Sequence, residues 1–290
     1  MSRSDGGLER KKELEKMKKI KYILFASVIL LSSCKREANV KLPATKSHPV
    51  IYGYICPDDT VIRIKVTQSQ PLFETSTTDI YAPVMDANVS LSGQQGNAQL
   101  VYNPLTEYYE IKATSYSINL GATYKVMVIM SNGEIATAET QVPLSAVPIS
   151  TITVETITEK YGTYDLLKVY FNDVVGQNNY YRMAMVYAQT FPFQPDTTYG
   201  DANVNELYSD VTHDGEYSLI STRYYPPFDT ILFNDVYLFN CSPSYFNYHK
   251  SLLNYSGDNP FAEPSLTYTN VKGGFGCFGA YTRSRFRYKK

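Results

Sequence analysis

Tryptophan is absent from the 290 residues, and histidine occurs only three times. With His48, His213 and His249 so far apart, no pair has the spacing of zinc ligands, and no metal centre is expected. No G-x-S-x-G turn sets a serine beside a base and an acid, so hydrolysis by a triad has no signature and the chain is not read as an enzyme. The formal charge of −1 leaves no basic footprint for nucleic acid. Long apolar runs are missing too. The longest, residues 22–31, is half of the roughly 20 residues that a membrane-crossing helix needs.

What that run does fit is a leader. Lys18, Lys19 and Lys21 precede it, and Ser32-Ser33-Cys34 follow it, the layout of a signal peptide spanning residues 1–33. Met17-Lys18-Lys19 is itself a normal start of such a leader, so Met17 is the expected initiator and residues 2–16 are left out of the fold argument. Leu31-Ser32-Ser33-Cys34 resembles the bacterial lipobox, in which a peptidase cuts before a cysteine already carrying a diacylglycerol. The alternative is an ordinary secretory leader with a chance cysteine. On the lipobox reading Cys34 is the lipidated first residue, and at about 0.8 kcal/mol per buried methylene its acyl chains hold the protein to a membrane. Residues 34–49, polar and carrying Pro43 and Pro49, read as a tether.

Removing residues 1–33 takes away eight Lys/Arg and four Asp/Glu, leaving 19 basic against 24 acidic residues. The remaining length suits two ordinary domains. The full chain's 27 Tyr and 13 Phe, with many Thr, Val and Ile, are residues that pack on pleated surfaces. Short runs follow one another: 50–56, then 60–68 with Ile62, Ile64 and Val66 alternating against Arg63 and Lys65, then 84–92, 99–102 and 108–111. Residues 124–130 and 134–141 flank Ser131-Asn132-Gly133, a hairpin signal. Residues 50–142 are therefore expected to form an immunoglobulin-like β-sandwich, without the cysteine and tryptophan marks of antibody domains. After a linker at 143–148, residues 149–290 read as a second β-rich domain, with strands at 151–158, 166–172, 180–189, 217–222 and 230–240. Residues 190–215, rich in Pro, Asp, Thr and Asn, read as a long excursion. Ser242-Pro243 marks the start of one short helix, with Tyr245, Tyr248, Leu252 and Leu253 near one face and an end around Asn254. Residues 265–271 and 279–288 return to strand.

Several side chains are candidates for chemistry or contact. Cys56 reads as a small buried hydrophobe, while an oxidising envelope leaves a Cys241–Cys277 disulfide open. Asp196, Asp201 and Asp210 sit in an oxygen-rich stretch but match no compact calcium loop. Gly274 to Gly279 spells G-x-G-x-x-G, yet too few residues follow for a crossover unit, so tight backbone approach is favoured over a nucleotide. Tyr180-Tyr181 and Tyr224-Tyr225-Pro226-Pro227-Phe228 are either core or a ligand platform, and Tyr224, Tyr225 and Phe228 make the better surface candidate. Arg283, Arg285 and Arg287 share one side of the last strand, as the guarded face of an edge strand or as a docking strip for phosphates or an acidic partner.

Phe261-Ala262-Glu263-Pro264, followed by residues 268–281 with Gly273-Gly274-Phe275-Gly276-Cys277-Phe278-Gly279-Ala280-Tyr281, resembles a Bacteroidota lipoprotein family catalogued as domain of unknown function 4249. The similarity extends to the 245–255 helix, to 83–91 with Gly121-Ala122-Thr123-Tyr124, and to Ile51-Tyr52-Gly53-Tyr54-Ile55. Cys277 stands where an aliphatic residue is expected. The resemblance implies an outer-membrane lipoprotein, often encoded beside TonB-dependent receptors, with no catalytic residues and no cofactor. The expected function is thus a lipid-anchored accessory to nutrient capture or envelope assembly. A glycan-acting enzyme with carboxylates from separate loops, or a structural spacer, are the alternatives.

Overall fold

A computed structural model describes residues 13–19, 21, 46–70, 82–176, 178–191, 194–211, 214–226, 231–255 and 266–289. It is mostly strand, and the protein is all-β as expected. The leader's cleavage region, Cys34 and Phe228 lie outside the described residues, while residues 13–19 and 21 are helical. Among the described residues no helix is long and apolar enough to cross a membrane. Everything considered below belongs to the unit Thr45–Lys290.

Seven strands come first: β1 (Pro49–Ile55), β2 (Val61–Gln68), β3 (Asn88–Gly93), β4 (Gly96–Asn103), β5 (Tyr108–Lys112), β6 (Thr123–Ile129) and β7 (Ile135–Gln141). Period two is visible in β2, where Ile62, Ile64 and Val66 are buried and Arg63 is exposed. At the β6–β7 hairpin Gly133 takes φ +87 and the Glu134 N–H donates to Asn132 Oδ1 at 3.0 Å, the local chemistry the Asn-Gly pair foretold. Inward side chains of β1, β2 and β5 meet those of β3, β6 and β7 in one core that includes Ile51, Ile64, Tyr109, Leu91, Val126 and Ala136.

The chain continues through β8 (Ile149–Glu159), β9 (Gly162–Asn172), β10 (Tyr180–Phe191), β11 (Gln194–Ser209), β12 (Tyr217–Tyr224), β13 (Ile231–Cys241), a helix α1 (Pro243–Leu253) and β14 (Phe275–Tyr288). Two sheets result: eleven strands in the order β11-β10-β13-β14-β1-β2-β5-β4-β3-β6-β7, and three in the order β12-β9-β8. Leu167, Val169 and Phe171 of the small sheet pack on Tyr181, Met183, Met185, Val236 and Leu238 of the large one.

β14 joins the two regions. Phe275 to Ala280 pair in parallel with Val50 to Ile55 of β1, and Tyr281 to Tyr288 pair antiparallel with β13. β14 is therefore interior to the sheet order, but its arginine-bearing half pairs with β13 alone and among the described residues has no strand on its other side, so there it is an edge. A Cβ at Gly276, where φ is +100, would lie 2.1 Å from the Ile51 carbonyl oxygen, and one at Gly279 would lie 2.8 Å from Tyr245 Cβ. The G-x-G-x-x-G run is thus a strand that β1 and the helix approach too closely for side chains.

The helix forms where the sequence placed it. Ser242 Oγ accepts from the Tyr245 N–H at 3.3 Å, Pro243 occupies the first turn and Asn254 caps the end. Tyr245 and Phe246 are buried against Tyr54, Tyr180, Phe239 and Tyr281.

Two expectations are corrected. Residues 194–209 form the sixteen-residue strand β11, paired with β10, in place of a long excursion. As the outermost strand it needs few apolar residues; Val204 alone among its core-forming side chains is fully enclosed, and Asn203, at φ 55, absorbs a bulge. Residues 266–271 are not a strand: Asn270 holds them by accepting from the Phe278 N–H and donating to the Phe278 and Glu139 carbonyls. Only Lys272 makes a ladder-like bridge, to Thr137.

Candidate functional site

The three arginines project from one side of β14 but meet different acids. Arg287 grips Asp235 with two N–H···O bonds of 2.7 Å and lies 3.7 Å over the Phe233 ring. That fork holds the Asp235 carboxyl below its ordinary range, chiefly through the Arg287 hydrogen bonds. Arg285 is 57 % exposed and stands 4.0 Å from the same carboxylate. Arg283 turns to Asp58 and Asp59, at 4.0 and 3.7 Å, on the β1–β2 turn. Much of the positive charge of the strip is thereby matched inside the protein, and Arg285 presents the most open guanidinium.

The aromatic run after β12 divides. Tyr224 is 2 % exposed and belongs to the second core, with its hydroxyl unbonded among the described residues. Burial pushes that phenol up to about 12. Tyr224 is thus a core residue and takes no part in a surface platform. Tyr225 is 62 % exposed and meets Tyr164 at 5.7 Å, and Arg223 stacks 4.8 Å over the same Tyr164 ring. Tyr225 and Arg223 are thus exposed side by side over the buried Tyr164 ring.

Three carboxylates come together that no spacing revealed. Asp173 follows β9, and Asp210 and Asp214 lie in the β11–β12 connection; one oxygen from each falls within 4.8 Å of the others. Asp173 and Asp210 are buried. Asp173 accepts from the Tyr181 hydroxyl and, at 2.8 Å, from the Gly215 N–H. Asp210 accepts from the Asn179 N–H at 2.8 Å, and Asp214 accepts from the Gly176 N–H at 2.9 Å. Burial raises the Asp210 pKa, and the neighbouring Asp173 raises it further. Two enclosed carboxylates are stable side by side when a proton or a cation sits between them. What the donors do in either case is tie the β9–β10 and β11–β12 connections together. Asp201, by contrast, caps its own bulge through the Asn203 N–H.

Beside this cluster lies a hollow of about 190 Å³, walled by Leu144 and Ser145 of the β7–β8 linker, Asn178 and Asn179, and Asn240. The linker is strapped down by Asn240 and Thr282, which donate to the Ser145 carbonyl at 3.2 and 2.9 Å, and by Ser284, which donates to the Val147 carbonyl at 2.7 Å. Pockets for drug-sized ligands run from about 300 Å³ upward, so the hollow suits a small polar group.

On the helix face Arg182 donates to Tyr245 Oη and, at 2.6 Å, to Asn205 Oδ1, and faces the Phe239 and Tyr245 rings. His249 sits among Tyr54, Tyr245 and Tyr248 with its Nε2 unbonded among the described residues. Burial, helped by Arg182, pushes its imidazole down to about 4. Cys56, Cys241 and Cys277 are all free and buried, so Cys241 and Cys277 form no disulfide.

No curated protein matches the chain. A family model described as a domain of unknown function, DUF4249, matches residues 35–287. That match covers nearly the whole of the β unit, so the chain belongs to the DUF4249 family.

Proposed function

We propose that this protein is a non-enzymatic, lipid-anchored module of the outer membrane, acylated at Cys34 and accessory to a TonB-dependent receptor in nutrient uptake or envelope assembly. The observation that carries the non-catalytic part is how the acids and arginines are used. Asp235 is clasped by Arg287, Asp173 by Tyr181 and Gly215, and Asp210 by Asn179. Side chains committed to holding strands and loops in register make a stiff platform. In this reading β1–β7 are an immunoglobulin-like sandwich, since β1-β2-β5-β4 on one layer and β3-β6-β7 on the other follow the seven-strand constant-type order. Surface contacts would come from Tyr225 with Arg223, from Arg285, and from Phe228 nearby in the sequence.

Crosslinking in intact cells, followed by identification of the attached proteins, tests the partner. An outer-membrane barrel receptor is the expected adduct, and its reproducible absence overturns the accessory role. Metabolic labelling with a palmitate analogue tests the anchor: the wild type takes up label and Cys34→Ala does not.

A further inference from the structure

Each sheet has two outermost strands, and three of the four are bridged, broken or carry an exposed arginine. β7 is bridged by Lys272, whose N–H and carbonyl both bond Thr137, at 2.7 and 2.9 Å. β12 is eight residues long and carries the exposed Arg223. β11 is interrupted twice by register shifts, and Asn203 kinks it. Such devices stop a sheet from pairing with another chain.

β8 has only a single register shift at its start, between Ile149 and Thr151. It ends the small sheet, none of its eleven residues is buried, and its register with β9 is unbroken from Thr151 to Glu159. The strand Ile149–Glu159 contains no proline, lysine or arginine and is rich in Thr, Ile and Val. Among the described residues no strand lies on its outer edge. An edge of this length that is mostly β-branched, with Glu155 and Glu159 as its charges, is a template for strand addition.

From this bare edge we infer that β8 is the self-association surface of the protein, pairing antiparallel with β8 of a second copy to fuse two three-stranded sheets into one of six. A two-fold axis through Thr153 sets Thr153 opposite itself, Ile152 opposite Val154, and Thr151 opposite Glu155. Ile152 and Val154 already stand beside the buried Val169 and Leu167 on the inner face. The pairing therefore lengthens an apolar row on one face and sets no like charges opposite each other on the other. Glu155 is balanced within its own copy by Lys168 at 3.7 Å. A second copy is the occupant that satisfies both bare edges at once, in an isologous interface. Edge pairing alone buries little area, so the dimer is weak, with a Kd on the order of micromolar.

Thr153→Cys tests the register directly in the full lipidated chain. Opposed positions in paired strands lie within disulfide reach, so mild oxidation of intact cells gives a species of twice the mass. Tyr161→Cys, exposed in the β8–β9 turn, does not. Sedimentation velocity in detergent shows the wild type dimerising with concentration, and Thr153→Lys, which opposes like charges, weakens it roughly tenfold without lowering the unfolding midpoint. A wild type that stays monomeric throughout overturns the inference. So does a Thr153→Cys adduct of a mass other than twice the chain, which would place an unlike partner on the edge.

Discussion

Alanine at Gly276 and alanine at Gly96 make a matched pair. Both glycines have nearly the same φ, +102 at Gly96 and +100 at Gly276, but a Cβ at Gly96 meets nothing within 4 Å, whereas at Gly276 it meets the Ile51 carbonyl oxygen at 2.1 Å. Gly96→Ala therefore pays only for the unfavourable backbone, about 1–2 kcal/mol. Gly276→Ala adds a collision that moving β14 about 1 Å from β1 relieves, which stretches neighbouring ladder bonds beyond bonding range. Losing two of them at about 1 kcal/mol each, and leaving a buried carbonyl without its donor at about 1–3 kcal/mol, brings the total to roughly 4–7 kcal/mol. Equilibrium unfolding in guanidinium, followed by tyrosine emission because the chain has 27 Tyr and no Trp, measures both. Equal losses in the two variants, within about 0.5 kcal/mol, would refute the view that crowding at the β1–β14 seam explains the glycine run.

Acid should weaken the fold through His249. Its imidazole titrates near 4 in the folded protein against 6.5 for the free side chain, so the unfolded chain binds the proton more readily. Stability is then full above pH 6.5 and declines as the pH falls toward 4, by about 1–2 kcal/mol for this partly exposed ring; His249→Gln flattens that part of the pH profile in chemical denaturation. Burial pushes the Cys56 and Cys277 thiols up to about 11 and about 12, so at pH 8 iodoacetamide labels neither in the folded protein and both in denaturant, as read by peptide mass mapping. Tyr224→Phe removes an unbonded buried hydroxyl, and its unfolding midpoint equals or exceeds that of the wild type. Arg287→Lys loses the fork on Asp235 and lowers the midpoint more than Arg285→Lys does.

Local signals were legible where the chain's own neighbours decide the structure. Ser242-Pro243 announced the helix because a hydroxyl cap and a proline act within one turn, and Asn132-Gly133 announced its hairpin because both requirements sit in four residues. β11 was illegible for the opposite reason: an outermost strand draws its hydrogen bonds from β10 and tolerates Asp, Asn and Thr, so its composition resembles a loop. Residues 266–271 looked like a strand, but the Asn270 side chain takes up the Phe278 backbone groups that a strand there would have used. The carboxylate cluster could not be found by spacing, since Asp173 and Asp210 meet only after β10 and β11 have folded back as a pair. The arginine periodicity on β14 was visible, while its partners Asp58, Asp59 and Asp235 belong to other strands and turns.

The seam that sets Val50 beside Phe275 ties the beginning of the β unit to its end. β1 is made early, yet one of its two neighbours follows every other described strand in the chain, so closure of the large sheet waits for residues 275–280. Contacts this distant along the chain make folding slow. A product truncated before residue 275 would leave one side of β1 open and β13 paired with β10 alone.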